Sequence, residues 1–230
     1  MWAIVPFKAL EDAKQRLASL LTPAERRDLM LAMARDVLAA LCQSSALSGV
    51  LIVSRTAEAD ALAQAFSTER FAESPDADLP GALTQASNHL LEHFGARGVM
   101  VIPADVPLIS AGEIDDILAG HDLNAQPGAV TVVPDSERIG TNCLALSPPR
   151  IIDFIFDGRS FKPHVDAAFA RGITPRIVPS RGFQLDIDTA DDLRTLLAQG
   201  STTQTGTYLE KSGIAERLNA IDNGRPESTT

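Results

Sequence analysis

Three aspartates and a short run of basic residues carry the chemistry legible in this sequence. Asp105 stands between Pro103 and Pro107, whose rings fix φ and hold the local backbone. Asp186 and Asp188 lie two apart, a spacing that in an extended segment puts both carboxylates on one side. Carboxylates converging on one edge would repel unless a cation lay between them. Hard oxygen donors of this kind suit Mg²⁺, which takes its remaining ligands from substrate phosphates and water. The competing reading makes Asp188 part of a helix cap and leaves Asp186 on a surface strand. Lys8, Lys14 and Arg16 follow the first apolar run. With no glycine-rich phosphate loop or dinucleotide fingerprint beside them, they could hold a polyphosphate by charge-assisted hydrogen bonds. The first 35 residues hold six basic and four acidic side chains, a local +2 in a chain of −10. Charge alone would describe a solvated helix face equally well. The place directly after a buried strand favours a binding role.

A third group offers donors for a small anion: Thr141 and Asn142 in the Gly140-Thr141-Asn142 turn, with Ser160, Lys162 and His164. An ordinary loop and N-cap would look the same. His89 and His93 are four apart but lack the glutamate of a metalloprotease helix and a third ligand, so they read as surface residues. His121 falls in a polar loop and needs no role. No serine sits in a nucleophile elbow, so covalent catalysis has no support.

The elements that must position these residues alternate. Trp2 to Val5 reads as a strand ended by Pro6, and Val50 to Val53 and Val99 to Ile102 as fully buried strands. Thr22-Pro23-Ala24-Glu25 is a capping box with proline at the first turn, predicting a helix to about Gln43. Thr56 opens a second helix, Pro80 and Gly81 a third, and Ser110 with Glu113 a fourth. Strands at 130–133 and 143–146 follow less regularly, and Thr189 with Asp192 starts a last helix. This order predicts an α/β, Rossmann-like fold with a mostly parallel central sheet flanked by helices. Its ligands belong at the carboxyl ends of the strands, where strand order reverses.

Composition bounds the function classes. The 230 residues carry a net charge of −10, which argues against nonspecific binding to nucleic acid or anionic membrane. No apolar run approaches the ~18 residues of a spanning helix, and no secretory signal opens the chain, so a cytoplasmic protein is expected. Cys42 and Cys143 are too few for a disulfide framework and read as buried thiols. Residues 201–230 hold nine Ser or Thr and only seven apolar residues. The expected organisation is therefore a domain over 1–198 and a flexible tail over 199–230, with a short helix around Tyr208 to Ile221.

The segments Val5-Pro6-Phe7-Lys8, Ala13-Lys14-Gln15-Arg16-Leu17, Ile102-Pro103-Ala104-Asp105-Val106-Pro107-Leu108, Gly140-Thr141-Asn142 and Leu185-Asp186-Ile187-Asp188-Thr189 occur in that order. Together they resemble the guanylyltransferases of deazaflavin coenzyme biosynthesis, the CofC/FbiD family. The resemblance implies a nucleotidyltransferase that joins GMP from GTP to 2-phospholactate, phosphoenolpyruvate or 3-phosphoglycerate and releases pyrophosphate, with a bacterial-type member favouring one of the last two. It implies that Lys8, Lys14 and Arg16 meet the GTP phosphates, with Lys8, Lys14 and Asp105 catalytic. Asp105, Asp186 and Asp188 would hold Mg²⁺, and Thr141 and Ser160 would contact the acceptor, with Gly81, Asn142 and Gly158 completing the substrate-binding set. The family's glycine three residues before that serine is Asp157 here, with Gly158 displaced by one, so the acid is left open. A homodimer is compatible with this reading. The alternatives are a transferase using a sugar phosphate or molybdopterin, and a silent nucleotide-binding relative.

Overall fold

Short apolar runs stack side by side to make one half of a seven-stranded sheet. The computed structural model describes residues 1–7, 14–200 and 202–223. Its strands are β1 (Trp2–Pro6), β2 (Gly49–Val53), β3 (Glu69–Phe71), β4 (Val99–Val101), β5 (Ala129–Pro134), β6 (Thr141–Ser147) and β7 (Arg176–Ile177). They lie in the order β3-β2-β1-β4-β6-β5-β7, and β6 runs antiparallel to both of its neighbours. The mostly parallel sheet expected from the alternating runs is therefore present, with one reversed strand. The helices are α1 (Pro23–Gln43), α2 (Ala57–Phe66), α3 (Leu79–Phe94), α4 (Ala111–Ala119), α5 (Phe161–Ala170), α6 (Ala190–Ala198), α7 (Gln204–Lys211) and α8 (Ile214–Asn223).

Side chains alternate across a strand, so each buried strand feeds two cores. Ala3 and Val5 of β1 join Val50 and Ile52 of β2 under α1, α2, α4 and α6, whereas Ile4, Leu51 and Val53 face α3 and α5. Three of the predicted capping boxes form in both halves: Thr22 with Glu25, Ser110 with Glu113, and Thr189 with Asp192. Each such cap contributes about 1 kcal/mol. The chain leaves β1 for β2 on one side and later enters β4 on the other, so strand order reverses between β1 and β4.

Two helices, α7 and α8, lie within the expected tail. α7 docks on α1 through Asp36, whose carboxylate accepts from the Gln204 and Thr205 N–H groups at 2.8 Å each and from the Thr205 hydroxyl at 2.6 Å. Leu209, Ile214 and Leu218 are buried in the larger core. Few apolar residues suffice here because α7 packs on α1, and α8 in turn packs on α6 and α7. Cys143 is buried as expected, but Cys42 is exposed near the end of α1. His121 is buried too: its ring nitrogens lie 2.9 Å from the hydroxyls of Thr131 and Ser147, tying the end of α4 to β5 and β6. No helix among the described residues is long and apolar enough to cross a membrane.

Candidate active site

The loops leaving β1 and β4 meet at the point where strand order reverses. Lys14, in the left-handed conformation with φ 53°, opens the short turn Gln15–Leu17 after β1. Its ammonium reaches across the gap, 2.5 Å from Asp105 Oδ2 and 2.7 Å from Asp188 Oδ1. The Lys14 side chain is 6% exposed. Burial alone would lower its pKa, but the two carboxylates outweigh that and hold it above its ordinary value. Asp188 reaches this position because Thr189, not Asp188, caps α6, and because the Ile187 N–H donates to the Asp105 carbonyl at 3.0 Å.

The three aspartates do not form a cage as they stand. Asp105 and Asp188 turn to Lys14, while Asp186 Oδ1 accepts from the Asn142 side chain at 3.3 Å. Among the described residues no group of three acidic, histidine or cysteine side chains is placed to hold a metal ion. The cation between these carboxylates is a buried lysine, which takes two of the three. Asp186 still bears the strain of the cluster. Burial, and next the charge of Asp105, push its pKa up, opposed by the Asn142 hydrogen bond.

Two clefts meet at Phe156 and Asp188. One, of about 250 Å³, has mostly apolar walls that include Pro6, Met30, Leu79, Leu83 and Phe156, with Lys14, Asp105 and Asp188 also lining it. The other, of about 510 Å³, is polar and brings together Arg16, Thr141, Asn142, Gly158, Ser160, Asp186 and Asp188. Arg16 thus faces the polar cleft and pairs only loosely with Asp188, at 3.7 Å with its side chain 75% exposed. Asn142 is fixed by donating to the Phe183 carbonyl at 2.7 Å. Gly158 takes φ 85°, which suits glycine, after Asp157 Oδ1 accepts from the Arg159 N–H at 2.9 Å.

One sequence-derived site residue falls elsewhere. Gly81 lines neither cleft: its N–H is held by Asp78 Oδ1 at 2.8 Å, and an added Cβ would lie 2.9 Å from that oxygen. Its glycine serves the cap of α3. Lys8 lies outside the described residues.

His164, read from sequence as a donor to an anion, is instead fully buried behind the cleft. The Ile155 N–H donates to its Nε2 at 3.0 Å, so the neutral ring carries its proton on Nδ1 and donates to Thr141 Oγ1 at 3.0 Å. Burial lowers its pKa to about 4, which keeps the ring neutral. Thr141, already accepting, keeps its own proton to donate elsewhere. Sequence showed the histidine but not its direction, since only the packing of α5 on the sheet turns it inward.

A model of the family described as Guanylyl transferase CofC like matches residues 1–227. Among relatives, a phosphoenolpyruvate guanylyltransferase of Roseiflexus castenholzii is 39% identical over 203 residues, 88% of this chain and 90% of the relative. A 2-phospho-L-lactate guanylyltransferase of Methanobrevibacter ruminantium is 32% identical over 225 residues, covering 93% and 92%. Among solved structures, a provisionally assigned nucleotide-diphospho-sugar transferase of Desulfovibrio desulfuricans superposes with a TM-score of 0.76 at 16% identity, covering 95% and 96%. A nucleotidyl transferase of Methanothermobacter gives 0.65 at 18% identity, covering 86% and 96%. These structures share the fold.

Proposed function

The chain belongs to the CofC-like guanylyl transferases, and from that premise we propose that it joins GMP from GTP to the phosphate of a three-carbon phospho-acid, in deazaflavin coenzyme biosynthesis. Phosphoenolpyruvate and 3-phosphoglycerate are the preferred acids and 2-phospholactate the third. The observation that carries the reading is the Lys14 bridge between Asp105 and Asp188, set between an apolar and a polar cleft. The apolar side suits a nucleoside and the polar side a small anion. In the reaction an oxygen of the acid's phosphate attacks the α-phosphorus of GTP in line. A new P–O bond forms, the bond to the β-phosphate breaks, and pyrophosphate leaves with that electron pair. The attacking phosphate has a second pKa near ~6 and is already ionised at neutral pH, so no general base is needed. Catalysis is then positioning and charge neutralisation. Lys14 supplies positive charge beside the transferring phosphoryl group; Thr141 donates to the acid from a fixed rotamer; Arg16 and Ser160 close on the same cleft.

The donor set fits a hard dication. Asp105, Asp186 and Asp188 are three hard oxygen donors beside a single lysine, and Asp186, which Lys14 does not reach, is held chiefly by Asn142. Mg²⁺ would be held by these residues and would supply charge neutralisation at the phosphates. The test is pyrophosphate release from GTP and Mg²⁺ with each acid in turn. Release with at least one acid, and none without acid, is expected; release with none overturns the reading.

A further inference from the structure

We propose that Glu73 reads the guanine base, through the N1–H and N2–H₂ donors of its Watson–Crick edge. The inference rests on the guanylyl-transfer reading above and names the residue that would select the nucleotide. Beyond β1 and β2 a third cleft, of about 260 Å³, is lined by Pro6, Phe7, Val53, Arg55, Glu73 and Leu79, among others. It shares Pro6 and Leu79 with the apolar cleft that holds Lys14, so the two adjoin. A nucleotide with its phosphates at Lys14 would place its base here.

Glu73 is a costly residue to leave in such a place. Its side chain is 13% exposed, and its Oε1 lies 3.3 Å from Arg55 Nε. Oε2 is buried and has no hydrogen-bond partner among the described residues. A carboxylate can only accept, so an orphaned, buried oxygen calls for a donor. Arg55 is itself anchored, donating to the Pro75 carbonyl, so it fixes the carboxylate rather than covering it. Of the common bases, guanine alone presents two adjacent donors with no acceptor between them. Adenine and cytosine would set a ring-nitrogen acceptor against the carboxylate, and uracil offers one N–H between two carbonyls. The apolar walls of Pro6, Phe7 and Val53 suit the face of a flat ring.

The test measures equilibrium binding of GTP, ITP and ATP without any acceptor acid, to wild type and to Glu73→Gln. Inosine lacks only the N2 amine. Wild type should bind GTP about 10-fold or more tighter than ITP, and ATP more weakly still. Glu73→Gln should weaken GTP about 10- to 100-fold and ITP much less, collapsing the preference. Equal loss for all three nucleotides would mean that Glu73 only holds Arg55 and would overturn the proposal. So would a wild type that binds GTP and ITP alike, a result that needs no variant to fold. A wild type that binds no nucleotide at all would contradict guanylyl transfer itself.

Discussion

The two halves of the sheet differ in how they are made and in what they present. The β3-β2-β1-β4 half is parallel, and its β1, β2 and β4 are buried on both faces by helices. The β6-β5-β7 half reverses direction at β6 and is held by buried polar contacts, His121 to Thr131 and Ser147 and His164 to Thr141. The first half offers clefts with apolar walls, the second a polar one. A nucleotide, with a flat base and a long reach of phosphates, needs a rigid apolar slot. A three-carbon acid has little apolar surface, so only directed hydrogen bonds can hold it. Lys14 sits on the seam, drawing one carboxylate from the β4 loop and one from the segment before α6.

The largest effect should come from breaking the seam. Asp105→Asn should lower kcat about 10³-fold while the thermal transition and GTP binding stay near wild type. Activity within tenfold of wild type would remove Asp105 from the chemistry.

Acid should separate the halves next. The pKa values of His121 and His164 are both lowered from 6.5 to about 4, chiefly by burial. Between those pH values the unfolded chain binds more protons than the folded one. Stability is therefore intact above pH 6.5 and falls as pH drops towards 4, by about 3 kcal/mol for each histidine. Because both sit in the mixed half, hydrogen exchange there should quicken first as pH falls, while β1 and β2 stay protected. Uniform loosening would contradict the division.

Legibility followed element length rather than that division, for the strands expected at 130–133 and 143–146 are β5 and β6 of the mixed half. In the parallel half, continuous apolar runs and capping boxes carry their own local signals, so β1, β2, β4, α1, α2 and α4 fall where spacing puts them. β3 and β7 span only three and two residues and exist by pairing with a neighbour, which no local pattern records. The tail misled for a related reason: Asp36, far off in sequence, accepts from the first N–H groups of α7 beside the local Thr203 cap and ties the helix to α1. Asp105, Asp186 and Asp188 were readable as a set from the prolines around the first and the two-residue spacing of the others. That Lys14 claims two of them was not, since it depends on one left-handed residue.

A smaller effect sharpens the polar cleft. Thr141→Val keeps the shape but loses the donor, and should raise the KM for the acid about 10- to 100-fold with the KM for GTP unchanged. A shift in both would show that the clefts are not independent. The smallest effect lies away from either cleft. Asp36→Ala should loosen α7 and lower stability by about 1–2 kcal/mol, read as a fall in Tm, with kcat unaltered.

The central claim is direct transfer across the Lys14 seam, with both substrates bound at once and no protein nucleophile between them. Running the reaction with one diastereomer of GTP carrying sulfur at the α-phosphorus, and assigning the product's configuration, tests it most directly. A single in-line displacement predicts inversion at phosphorus. Retention would require two displacements through a guanylylated side chain and would contradict the account.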